Sequence, residues 1–358
     1  MQPGNDSRNR KDWKMLALVK TQKGKGFLEL MDMPEPKPGK GEVLLEIKAT
    51  GICGTDLHVR EDEFPYWPPV ILGHEFAGEI VELGPDCKYY KLGDRVVGEP
   101  HTKACGQCYL CRTGNPQICM DKRSPGWGIH GSFCKYLVMP EHLLHKIPDN
   151  MDFDTAAVLE PTANAVHNVI ERAGIVAGDF VVVIGPGPIG LLCGMTAEAA
   201  GARHVVMAGA PPDEGMRLEK AKALGFESVV NVANVDLTEM VMDLTHGVGA
   251  DLVIDCSGAP RAIAGMPAMA RKKGKLQAVG LTGGRNVDFP WNTCSTKSLD
   301  ISFGMSISYT SWNRAIALVS KGLLPAGEVI SHRVPLTDWE MAFEEIAACR
   351  ALKVIMHP

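Results

Sequence analysis

Four cysteines, Cys105, Cys108, Cys111 and Cys119, follow one another in a C-x2-C-x2-C-x7-C run. Thiolates this close in sequence can complete a closed tetrahedral shell around Zn2+, each Zn–S bond being about 2.3 Å. Gly106, Gly114, Asn115 and Pro116 are turn-formers that let the chain fold back around an ion. Buried free thiols explain the run poorly, because a core strand would not gather four of them in a Gly- and Pro-rich loop. Four sulfurs leave no open coordination position, so the zinc expected here is structural and chemistry must lie elsewhere. Cys53, in the run Gly51-Ile52-Cys53-Gly54-Thr55-Asp56-Leu57-His58, and His74, in Gly73-His74-Glu75, are the next candidates. A thiolate and an imidazole on turns bordered by glycine can approach one ion from two sides. A catalytic zinc has three protein ligands and one exchangeable position, and Glu75, Glu99 and Glu160 are the candidates for the third.

A third signature is Gly185, Gly187 and Gly190, a G-x-G-x-x-G loop that contains Pro188 and Ile189. It follows the apolar run Phe180–Ile184 and opens a helix-like stretch, Ile189–Ala200. The tight turn, the close approach to a pyrophosphate and the packing of helix on strand each favour glycine, and the helix N-terminus attracts phosphate. A carboxylate that binds the adenosine ribose is expected about 20 residues on. Gly209 occupies that slot, which removes a like charge facing a 2′-phosphate, and Arg217 is placed to attract one. Asp213 and Glu214 follow closely and pull the other way. The balance leans slightly to NADP over NAD.

These residues need a frame to position them. At 358 residues the chain suggests two domains, and its net charge of −5 argues against a nucleic-acid surface. No apolar run is long enough to span a bilayer. The polar first dozen residues lack a secretory core and read as a frayed arm. Eleven cysteines without such a leader suggest a reducing cytoplasm; Cys87, Cys134, Cys193, Cys256, Cys294 and Cys349 are then ordinary thiols. The first 150 residues read as short strands, among them Val43–Ala49, Glu79–Leu83 and Arg95–Gly98, broken by turns. After Pro161 strands alternate with helices: Phe180–Ile184, His204–Ala208, Ser228–Asn231, Asp251–Asp255, Leu276–Gly280 and Ile301–Phe303, with helices near Arg217–Leu224 and Leu237–Leu244. That alternation predicts βαβ units and a parallel sheet. From about Thr310 a helix, Ser311–Lys321, and mixed short elements suit a return to the first domain.

The GICGTDLH, GHE, four-cysteine and GPGPIG segments, in this order, resemble the zinc-dependent medium-chain dehydrogenase/reductase family. The resemblance runs from about Met15 to near the C-terminus. It implies an α/β plus β chain: a GroES-like catalytic domain, residues 15–168 and 309–358 after an arm of residues 1–14, split around a Rossmann domain, 169–308, with a doubly wound parallel sheet. It implies that Cys53 and His74 ligate a catalytic zinc, with Glu75 an outer or alternating ligand. The segment Leu159-Glu160-Pro161-Thr162-Ala163-Asn164-Ala165-Val166-His167 replaces the cysteine of the alcohol dehydrogenase branch. It resembles the polyol and L-threonine dehydrogenase branches, so Glu160 is the expected third ligand, directly or through water. Two zinc ions per chain follow, one catalytic and one structural.

The implied activity is reversible hydride transfer from a substrate hydroxyl to a nicotinamide, with zinc lowering the pKa of the hydroxyl. Thr55 and His58 would relay the proton to solvent. Cys256, Ser257 and Gly258, with Val279 and Gly280, would border the nicotinamide at the carboxyl ends of the strands. Phe64, Tyr66, Trp67 and Trp127 are candidate pocket aromatics. Polyols, sugar alcohols and related diols are the leading substrates. L-threonine 3-dehydrogenase is the rival, favoured by the Asn164–His167 run, and a cofactor-binding sensor or structural protein without turnover is the reading from another class. The resemblance further implies a homodimer or homotetramer.

Overall fold

A strand without a polar face cannot border water, and Phe180–Ile184 accordingly lies inside a sheet with all five residues buried. The computed structural model describes residues 14–358; the expected N-terminal arm lies outside the described residues except for Lys14. Phe180–Ile184 belongs to a six-stranded parallel sheet. Its order is Ser228–Asn231, His204–Gly209, Phe180–Ile184, Ala250–Asp255, Ala270–Ala278 and Asp300–Phe303. Chain order reverses beside Phe180–Ile184, so the crevice at the carboxyl ends of this strand and Ala250–Asp255 is the position where a doubly wound sheet takes its ligand. The helices Pro188–Ala199, Met216–Ala223, Leu237–Leu244 and Pro260–Met269 connect the strands. The fifth strand ends at Ala278, two residues earlier than the periodicity suggested, and leaves Val279 and Gly280 in the loop beyond it.

The second large sheet is mixed. Its order is Ile330–Pro335, Lys353–His357, Glu42–Gly51, Glu75–Leu83, Arg95–Gly98 and Leu144–Lys146, with Tyr136–Pro140 also pairing on Glu42–Gly51. The end of the chain thus returns to the first part: Ile355 pairs with Gly51 and Met356 with Thr50. That register sets the last strand beside Ile52 and Cys53. A three-stranded sheet, Leu28–Pro34, Lys14–Lys20 and Val70–Ile71, carries the segment leading to His74.

Between the sheets runs helix Leu159–Val166, whose Pro161 stands in the first turn, where a missing N–H costs little. It continues into one wide π-type turn, His167–Arg172. Glu171 in that turn accepts hydrogen bonds from Ser308 Oγ at 2.5 Å and Thr310 Oγ1 at 2.6 Å, and pairs with Arg314. Burial alone would raise the Glu171 pKa, but the hydroxyl donors override it and hold the carboxyl down to about 2. The carboxylate therefore fastens helix Tyr309–Ser320 to the inter-sheet helix. Because the folded pKa is depressed, this stabilisation is present above the ordinary value of 4.5 and is lost as pH falls towards about 2. Glu171→Gln should lower the melting temperature at pH 7, with the gap to the parent narrowing between pH 4.5 and 2. Thermal scans across that range check it; a gap independent of pH would contradict it.

Candidate active site and metal centres

The outer cysteine loop closes as its spacing predicts. Cys105 and Cys111 Sγ lie 4.0 Å apart and Cys108 and Cys119 Sγ 3.8 Å apart, all four within 4.8 Å of one another. Tetrahedral zinc with 2.3 Å bonds needs S···S edges of about 3.8 Å, so the four sulfurs fit the ion. The backbone N–H groups of Gln107 and Cys108 point at Cys105 and hold its thiol down to about 7, whereas burial and the neighbouring sulfurs push Cys111 up to about 12.

The inner group is built by two turns. Cys53 precedes helix Gly54–Arg60, and its N–H donates to Asp56 Oδ2 at 2.9 Å, which fixes the turn. The other Asp56 oxygen lies 3.8 Å from His74 Nδ1 and accepts from the Gly73 N–H at 3.4 Å. One buried carboxylate thus orients both turns. Ligand atoms of Cys53, His74 and Glu75 come within 4.8 Å of one another. Glu160 stands outside that trio but lines the same cleft, a cavity of about 480 Å3. The charge surroundings fit a cation. Burial opposes protonation of His74, yet Cys53 and Asp56 override it and push its pKa up to about 10. For Glu160 burial acts the other way and pushes the carboxyl up to about 7. These groups suit a zinc ion, which supplies the missing positive charge.

Glu75 has a partner from the far end of the chain. Lys353 Nζ donates to its two carboxylate oxygens at 2.7 and 2.6 Å and to the Ile52 carbonyl at 2.9 Å. Burial would lower the Lys353 pKa, but Glu75 overrides it and holds the ammonium above its ordinary range. Thr55 lines the cleft, with Oγ1 3.7 Å from Cys53 Sγ. His58, one turn along the same helix, is exposed and has Nδ1 3.0 Å from Glu63. Phe64 and Trp127 line the cleft, Trp127 standing edge-on to His74 at 4.8 Å between centroids. Tyr66 and Trp67 do not: Tyr66 is core, and Trp67 packs under the Arg123 guanidinium.

The glycine loop faces the same cleft. Gly185 has φ +103°, and a Cβ on Gly190 would lie 1.8 Å from the Gly185 carbonyl, so neither position admits a side chain. A Cβ on Gly187 would meet nothing within 4 Å, which leaves space at the N-terminus of a twelve-residue helix. That opening fits a pyrophosphate. Gly187, Pro188, Ile189, Gly190, Arg217, Cys256 and Val279 line the cleft. Ser257 and Gly280 sit just behind it: Asp255 accepts from Ser257 Oγ at 2.6 Å and from the Gly258 N–H at 3.0 Å, and Gly280 packs against the Gly258 backbone. Gly209 is packed among Pro186, Asp213 and Leu218, while Arg217 Nη1 donates to Asp213 Oδ1 at 2.8 Å.

Sequence reasoning missed Asp56, Lys122, Lys353 and the place of Asn164 in the cleft. Asp56, three residues after Cys53, carried a legible capping signal; Lys353, 278 residues from Glu75, carried none. Lys353→Met leaves the Glu75 carboxylate buried and unpaired, which should cost about 3–5 kcal/mol in denaturant unfolding. Adding Glu75→Gln should recover part of that loss; no recovery would mean that the lysine acts through packing alone.

The family model described as an alcohol dehydrogenase GroES-like domain matches residues 39–149, and that of a zinc-binding dehydrogenase matches residues 188–321. Sorbitol dehydrogenase of Halalkalibacterium halodurans is 38% identical over 96% of this chain and 99% of its own. L-threonine 3-dehydrogenase of Pyrococcus horikoshii is 37% identical over 96% and 98%. A structure from Sinorhizobium meliloti 1021, described as a zinc-binding dehydrogenase bound to NADP, superposes with a TM-score of 0.90 at 30% identity, covering 97% of this chain and 100% of that one. With two clusters of side chains close enough to share an ion and a glycine loop on the same frame of sheets, the chain is an oxidoreductase of the zinc-dependent medium-chain dehydrogenase/reductase family.

Proposed function

We propose that this enzyme reversibly oxidises a secondary hydroxyl of a polyol, sugar alcohol or related hydroxy compound, with NAD(P)+ as acceptor. The observation that carries the reading is the meeting of Cys53, His74 and the acidic residues with the glycine loop in one cleft. Cys53, His74 and Glu160, directly or through water, would hold the catalytic zinc. Glu75 is the alternate, although both of its oxygens already accept from Lys353. Held there, zinc would supply Lewis-acid chemistry towards a hydroxyl oxygen. Thr55 would take the hydroxyl proton by hydrogen bond while passing its own on towards the nicotinamide ribose, and His58, exposed on the same helix, would deliver it to solvent. The second zinc belongs to Cys105, Cys108, Cys111 and Cys119.

The domain reading is a catalytic unit of residues 15–168 and 309–358 around a nucleotide-binding unit of 169–308, supported by the pairing of the last strand with Glu42–Gly51. The slight preference for NADP rests on Gly209. Asp213, held by Arg217, opposes it. A homodimer or homotetramer is part of the reading, supported by the edge strand Asp300–Phe303 with its exposed Phe303, and so is a cytoplasmic location, supported by the unpaired cysteines. L-threonine 3-dehydrogenase activity is the second reading, favoured by Asn164, a polar residue in the cleft.

The test is reduced-nicotinamide absorbance with NAD and NADP in turn, over sorbitol, short diols and L-threonine, with Cys53→Ala alongside. Turnover of a polyol that vanishes in the variant is the expected result. Turnover of L-threonine alone moves the enzyme to the second reading, and full activity in Cys53→Ala overturns both. Asp213→Ala should raise the NADP-to-NAD ratio of kcat/KM by about tenfold, as expected for removing a like charge beside the phosphate; a fall in that ratio would contradict the assignment.

A further inference from the structure

Of the eight residues in helix Leu159–Val166, Glu160 and Asn164 alone are not buried, and both line the cleft. They stand one turn apart on one face of the helix. An amide can donate or accept, and which of its two ends Asn164 offers decides what it can bind.

A backbone atom fixes the choice. The wide turn that starts at His167 carries Asn168, which is buried and donates through Nδ2 to the Asn164 carbonyl at 2.9 Å, a group that can only accept. The same NH2 donates to Asn164 Oδ1 at 2.8 Å, so Asn164 turns its oxygen towards Asn168 and its own NH2 away. Among the described residues that NH2 has no protein acceptor. Gln277 Nε2 donates to Asn168 Oδ1 at 2.7 Å, and Ser302 Oγ donates in turn to Gln277 Oε1. Asn168 and Gln277 are both buried, and turning either amide round would leave buried groups unpaired. The chain behind Asn164 is therefore held in one direction, and none of its groups titrates.

That chain ends on two strands of the parallel sheet. Gln277 lies on Ala270–Ala278, which leads to Val279, and Ser302 on Asp300–Phe303, which leads to residues 304–306; Val279 and residues 304–306 line the cleft. Gly304 also packs on Asn168, since a Cβ there would lie 2.1 Å from Asn168 Oδ1. Asn164 is thus registered against the carboxyl ends of these strands, where a doubly wound sheet holds its cofactor. We propose that Asn164 Nδ2 donates to the carboxamide oxygen of the nicotinamide, and that Asn168, Gln277 and Ser302 are positioning residues that keep it aimed there. The inference rests on the NAD(P) reading above. What the cleft receives from Asn164 is a donor, which suits a carbonyl oxygen and not an NH2.

The test is equilibrium binding to the zinc-loaded full chain without substrate. NADH or NADPH, whichever binds tighter, is followed by its fluorescence. Adenosine diphosphoribose, or its 2′-phosphate where NADPH is the tighter, is titrated calorimetrically; it keeps the pyrophosphate and both riboses but has no nicotinamide. Asn164→Ala should weaken the reduced cofactor by about 3- to 10-fold, the loss of one neutral hydrogen bond, and leave the nicotinamide-free nucleotide unchanged. The thionicotinamide analogue, whose sulfur accepts poorly, should bind the parent and Asn164→Ala alike. Asn168→Ala should repeat the Asn164→Ala pattern. Because it also empties a buried space, Ser302→Ala is measured beside it and should give a smaller loss on the reduced cofactor alone. An equal loss on the nicotinamide-free nucleotide, no loss in Asn164→Ala, or a raised KM for a hydroxyl substrate with cofactor binding unchanged overturns the proposal. The expected pattern in a protein that oxidises no hydroxyl compound supports it, and the hydroxyl-oxidising reading then fails on its own. A parent protein that binds neither nucleotide overturns the NAD(P) reading and this inference with it.

Discussion

One buried ion pair joins the last strand to the turns of the candidate site. Lys353, on the last strand, donates to both oxygens of Glu75 and to the carbonyl of Ile52. Those residues adjoin His74 and Cys53, so a single ammonium ties together the turns that carry the Cys53 thiol and the His74 imidazole. Two opposite charges removed from water are worth little as a net source of stability, but separating them is costly. The pair therefore acts as a constraint on geometry. The last strand must dock for the turns of Cys53 and His74 to hold their positions, which gives a physical reason for the mixed sheet to be completed by Lys353–His357.

The same economy of parts recurs across the cleft. Asp56 caps the helix after Cys53 and faces His74; Asp255 gathers the N–H groups of the loop after its own strand. Each carboxylate is buried and satisfied by local donors, so the loops it organises need little else to stay fixed. The glycine loop adds rigidity of another kind: Gly185 and Gly190 bring the helix against the strand, and Gly187 leaves the opening. The cavity that Cys53, His74 and Glu160 share with the glycine loop is thereby framed by glycine turns and carboxylate-held loops.

Legibility in the sequence followed the strength of the physical signal. The parallel strands were readable because continuous apolar runs such as Phe180–Ile184 and Asp251–Asp255 have few other uses, and the helices between them followed from periodicity. The β-rich part was harder. Strand Glu75–Leu83 begins four residues before the expected Glu79, because Glu75 is a charge and its burial depends on Lys353, which no local pattern reveals. The short helix Gly54–Arg60 carries a Gly, a Thr and an Asp in its first turn and too little length for a periodic signal. Lys122 was indistinguishable from a surface residue until the fold brought it to the cleft, and Asn164 stood out only as the start of the run to His167. Metal-ligating spacing, by contrast, is a local property, and the four-cysteine loop and the Cys53 and His74 turns converge as their chemistry requires.

The central claim is that two different metal centres, one of sulfur alone and one mixed, are built on this frame. Zinc K-edge absorption on the purified chain, with the zinc content measured in parallel, tests it most directly. Two zinc ions per chain averaging about 2.5 sulfur ligands each, the mean of a four-sulfur and a one-sulfur shell, are predicted. One zinc per chain surrounded by four sulfurs would contradict the account, because Cys53, His74 and their acidic neighbours would then not be a metal centre.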